Sequence, residues 1–120
     1  MARNVLAIVD DMFFASKIRA TAEALDVAIS FPRSRAMLLQ KAREVTPDLI
    51  LIDLHHQRFD ALEAAASLKA DPELSKIPLL AFFSHVQTEL QRNAVAAGVD
   101  QVIPRSIFSR DLAMILSGQK

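Results

Sequence analysis

The chain has 120 residues, too few for two ordinary domains, and 52% are hydrophobic against 23% charged, a balance that supplies a core and excludes a disordered chain. Fourteen basic and fourteen acidic side chains leave a formal charge of zero, so no long-range field favours nucleic acid or an anionic membrane, and the lack of cysteine excludes disulfides, thiolate metal sites and a cysteine nucleophile. Two glycines cannot build a phosphate-binding loop or a dinucleotide fingerprint, and no stretch reaches the roughly 18 apolar residues of a membrane span.

Arg3 precedes the apolar run Val5–Val9, which ends in Asp10-Asp11 and is too short for a signal-peptide core, so the expected compartment is the cytoplasm. Phe14, Ile18, Ala22 and Leu25 follow at helical spacing, and Val27–Phe31 reads as a second strand. Leu38, Ala42 and Val45 mark the next helix, after which Pro47 precedes a third strand, Leu49–Ile52. Asp71-Pro72 closes the third helix, Pro78 opens the fourth strand, Leu79–Phe83, and Gly98 sits where a helix ends. Val102-Ile103 is the last strand, and Phe108, Leu112 and Ile115 give the last helix. Strands that are continuously apolar are buried on both faces, which predicts an α/β three-layer sandwich with a parallel sheet between helices. Residues 1–120 are expected to form a single domain.

In such folds, ligands bind beyond the carboxyl ends of the strands. Asp10-Asp11, Asp53, Phe83-Ser84-His85 and Arg105 stand there. Two carboxylates 4 Å apart repel by about 4 kcal/mol at an effective dielectric of 20, so three of them call for a cation. All-oxygen ligation suits Mg2+, which also neutralises the charge that develops as a carboxylate attacks a phosphoryl group. This crowding predicts that Asp11→Asn raises the thermal midpoint when no divalent ion is present. Asp11, just ahead of Met12-Phe13-Phe14, equally suits a helix N-cap. His55-His56 and His85 read as solvated loop residues, since adjacent histidines rarely point at one ion. Met12 aligns with Ser16, Arg19 and Glu23 on the polar stripe, so Met12 and its neighbour Phe13 are candidates for partner docking beside the acidic edge. Arg33, Arg35, Lys41 and Arg43, balanced by Glu44 and the neutral total, read as an ordinary solvated face with no nucleic-acid partner.

Val9-Asp10-Asp11, Asp48-Leu-Ile-Leu-Ile-Asp53-Leu54, Lys76-Ile77-Pro78-Leu79-Leu80 and Ala97-Gly98-Val99-Asp100 together resemble the receiver domain of bacterial two-component response regulators, and the resemblance runs through the whole chain. It implies a flavodoxin-like fold with strand order 2-1-3-4-5, and an aspartyl-phosphate switch served by a histidine kinase or phosphotransfer protein. Asp53 is then the phosphoacceptor, Asp10 and Asp11 the magnesium pair, and His55 the residue lending its backbone carbonyl to the metal. Three features depart from the family. Receivers usually carry Thr or Ser five residues after the proline that opens strand four, a position held here by Phe83; Ser84, one residue later, is turned away by strand alternation if the strand continues that far. The family's lysine is replaced by Arg105, which keeps the charge in a planar fork, and its strand-five aromatic by Val102. Two function classes follow: a phosphorylatable receiver with an atypical switch, or a phosphorylation-independent pseudo-receiver acting as a protein-docking module. A conventional enzyme is not expected.

Overall fold

Strand and helix alternate as the apolar runs dictate. The computed structural model describes residues 3–55, 60–84 and 88–118. Its strands are β1 (Asn4–Ile8), β2 (Ala28–Ser30), β3 (Leu49–Asp53), β4 (Leu79–Phe83) and β5 (Gln101–Pro104), all parallel in the order β2-β1-β3-β4-β5. The helices are α1 (Met12–Ala24), α2 (Arg35–Val45), α3 (Ala61–Ala70), α4 (Thr88–Ala96), α5 (Arg105–Arg110) and α6 (Leu112–Ser117).

Alternation along the strands divides the apolar side chains between two cores. Leu6, Ile8, Ile50, Ile52, Ala81 and Phe83 face one side, where they meet Leu38 and Ala42 of α2, Ala64, Ala65 and Leu68 of α3, and Ala94 of α4. Val5, Ala7, Leu51, Leu80 and Phe82 face the other, against Phe14, Ile18 and Ala22 of α1 and Phe108, Leu112 and Ile115. Two-sided burial holds for β1, β3 and β4. The edge strands β2 and β5 are partly exposed, because each has a neighbour on one side only, and β2 keeps three residues of the five-residue run that suggested it. The helical stripes hold as well, except that Leu25 lies at the α1 terminus and is exposed. The last helix is interrupted at Asp111 (φ −102°, ψ 14°), a residue type whose side chain competes for local hydrogen bonds. The carboxylate there is buried and paired with Arg110, which raises the pKa of that guanidinium.

The amino end of the sheet is fastened by Lys69. Its Nζ donates to the carbonyls of Ser75 and Ile77 and to Asp100 Oδ2, which also accepts the Leu79 N–H. Gly98 (φ +101°) sits beside this lysine, and a Cβ there would lie 2.5 Å from Lys69 Cγ, so both the backbone angle and the space require glycine. With that end fixed, the opposite edge carries the polar residues.

Candidate functional site

Register places the expected residues along one edge. Ile8 pairs with Ile52 and Asp53 with Phe82, while Phe83 pairs with Pro104, so Val9-Asp10-Asp11, Asp53, Phe83 and Arg105 all emerge at the carboxyl end of the sheet. Asp53 is 7% exposed, and its Oδ1 accepts the His55 N–H at 2.9 Å, which fixes the carboxylate at the end of the central strand.

Asp11 is held more tightly than a metal ligand awaiting its ion. As N-cap of α1, it accepts the Phe13 and Phe14 N–H groups on Oδ1 at 2.9 and 3.1 Å. Its Oδ2 accepts Arg105 Nη2 at 3.1 Å. The Phe14 N–H first, and the Arg105 guanidinium after it, hold the Asp11 carboxyl below the usual carboxylate range. Arg105 is also anchored from the other side, its Cζ lying 4.0 Å from the centroid of the Phe14 ring. That ring belongs to an aromatic cluster: it meets Phe82 edge-on at 5.3 Å and Phe108 at 5.6 Å, and Phe82 stacks on Phe108 at 4.4 Å.

Asp10 turns elsewhere. It lines a groove of about 330 Å³ with Met12, Arg19, Phe31 and Arg33, on the β2 side, and neither Asp11 nor Asp53 reaches that groove. The three carboxylates stand at one edge of the sheet, and of them Asp10 alone lines this groove. Among the described residues, no group of three or more His, Cys, Asp or Glu side chains is placed to hold a metal ion. As the side chains stand, a divalent cation at Asp11 would have to share that carboxylate with Arg105. Asp11 has spent one oxygen on the helix cap and shares the other with a fixed positive charge, and Asp10 lines a separate groove.

At the switch positions, β4 ends at Phe83, so alternation no longer governs Ser84, which is exposed. Phe83 is buried in the core beneath α3 and α4, and Val102 packs against that same cluster. Met12 and Phe13 are 81% and 92% exposed, as the polar stripe implied for Met12. His56 and His85 lie outside the described residues. Two of the four residues of the basic face are paired within the molecule, Arg35 with Glu63 and Arg43 with Asp71. No helix among the described residues is long and apolar enough to cross a membrane. Sequence reasoning missed Phe14 as a support for Arg105, because the helical stripe marks the ring as core and carries no sign of its second contact. It also missed Arg19, whose guanidinium lies 4.9 Å from the Phe31 ring in the groove beside Asp10.

No family model matches the chain. Response regulator protein VraR of Staphylococcus aureus is 36% identical to it over 75 residues, 62% of this chain and 35% of that protein. The chain thus matches about a third of the length of its curated relatives. Among solved structures, the phosphorylated cyanobacterial phytochrome response regulator RcpA superposes with a TM-score of 0.80 at 21% identity, covering 99% of this chain and 91% of that one. The Mn2+-bound form of response regulator Rcp1 gives 0.76 at 19% identity, covering 97% and 90%. The chain has the receiver fold of response regulators.

Proposed function

We propose that the chain is a receiver module of a bacterial two-component phosphorelay, with Asp53 as its phosphoacceptor. One observation carries this reading: a carboxylate buried at the carboxyl end of the central strand and oriented by the next loop's backbone N–H. A histidine kinase or phosphotransfer protein supplies the phosphoryl group. An Asp53 oxygen attacks phosphorus, the P–O bond forms as the P–N bond of phosphohistidine breaks, and the electron pair returns to the imidazole nitrogen, which takes a proton. Arg105, moving from Asp11, offers its fork to the phosphoryl oxygens and offsets their charge. Magnesium at Asp10, Asp11, Asp53 and the His55 carbonyl, as the resemblance implies, carries no step of this reading. RcpA in its phosphorylated form and Rcp1 with Mn2+ lend support by likeness of fold. The module acts in the cytoplasm, hands its signal to a downstream protein over Met12 and Phe13, and is not an enzyme in its own right.

The test is intact mass after incubation with acetyl phosphate and Mg2+. One phosphoryl adduct is expected, absent in Asp53→Asn. A wild-type chain that takes none, from acetyl phosphate or from a phosphorylated kinase, moves the conclusion to the second reading, a phosphorylation-independent docking module. The buried Phe83 ring, standing where the family's hydroxyl would follow the phosphoryl group, favours that alternative.

A further inference from the structure

We infer that the Arg105 guanidinium takes the place of a divalent cation at this acidic edge, so that Mg2+ or Mn2+ binds only by displacing it. The inference deepens the receiver reading, on which it rests for the expectation that an ion belongs here. The Asp11 carboxylate, one of those the resemblance gives to a cation, already has a counter-charge from within the chain. Both Asp11 oxygens are already engaged: Oδ1 accepts two backbone N–H groups of α1, and Oδ2 accepts Arg105 Nη2 at 3.1 Å, so an ion at Oδ2 has to share it with the guanidinium. An incoming ion at Oδ2 meets a positive charge already bound there, and the repulsion between them weakens its hold.

Arg105 is not a stray surface contact. The Phe14 ring lies 4.0 Å beneath its Cζ, and that ring packs at a steep angle against the stacked pair Phe82 and Phe108, so the guanidinium is held between a carboxylate and an aromatic ring supported by the core. This cation is part of the chain, so no chelator removes it. It remains displaceable, because the Arg105 and Asp11 side chains are 33% and 40% exposed.

The test counts bound Mn2+ by the loss of its free-ion electron paramagnetic resonance signal, in the full chain. Wild type is compared with Arg105→Met, which keeps an apolar stem over Phe14 and drops the charge, and with Arg105→Lys, which keeps the charge and loses the fork. Arg105→Met is expected to bind Mn2+ at least about tenfold more tightly than wild type, with Arg105→Lys in between. Equal Kd values for wild type and Arg105→Met, including the case in which neither binds, overturn the inference. If Arg105→Met does not fold by circular dichroism, wild type against Arg105→Lys decides, and equal affinities again overturn it. Metal occupancy is read without phosphorylation, so a chain that fails to label at Asp53 disproves the receiver reading and leaves this result standing.

Discussion

At the carboxyl edge of the sheet, a guanidinium and a carboxylate face each other in partial contact with solvent on the α1 side, while on the α4 side a phenyl ring is sealed into the core. Both Arg105 and Phe83 stand where the receiver pattern carries a different residue, and both fill the space from within the chain. The difference lies in what reverses them. A half-exposed ion pair exchanges with any competing charge, whereas a buried ring leaves only when the packing beneath α3 and α4 is rebuilt. The charged flank is thus the adjustable one, and the apolar flank is part of the scaffold.

The largest expected effect tests the scaffold side. Phe83→Ala should lower the free energy of unfolding in urea by about 3 kcal/mol, and a loss under about 1 kcal/mol would mean that the ring is a movable plug and erase the contrast. Asp60, which caps α3 through the Leu62 and Glu63 N–H groups as Asp11 caps α1, gives the reference for a cap alone, and Asp60→Ala should cost about 1 kcal/mol. Asp11→Asn keeps a capping oxygen and removes the charge facing Arg105, so the thermal midpoint should fall by less than it does for Asp60→Ala. Carboxylate crowding alone gives the opposite sign, so a rise in midpoint would mean that Arg105 does not compensate this edge.

The smallest effect is in acid. Asp11 and Asp71 both have carboxyl pKa values lowered on folding, Asp11 chiefly by the Phe14 N–H and Asp71 chiefly by the Glu73 N–H, each with an arginine as the next cause. Their contribution is complete above the unfolded pKa of about 3.9 and is lost as pH falls through the lower folded value. The urea midpoint should therefore drop below about pH 4, and the double variant Asp11→Asn/Asp71→Asn should flatten that limb. An unchanged slope would show that these pairings do not persist in solution.

The sequence revealed much of this and hid one part for a definite reason. Apolar runs located the five strands of the sheet, most plainly β1, β3 and β4, where two-sided burial leaves few polar positions to disguise them. The 3.6-residue stripes found the buried faces of α1 and α2, and the polar alignment of Met12 found its exposure. Asp53 was legible from its position at the end of an apolar strand. Asp11 was legible as a helix N-cap as well as a metal ligand, and the structure shows the cap, but its ion pair was not legible. Asp11's partner lies 94 residues away, and a contact across that distance leaves no local periodicity. Arg105 likewise reads as a family substitution in sequence and as half of an ion pair only in three dimensions.

Phe14 ties the interior of the molecule to its surface chemistry. Its ring leans against the stacked pair Phe82 and Phe108, and Arg105 rests over the same ring. The position of the guanidinium over Asp11 thus depends on apolar packing as well as on the attraction of the two charges.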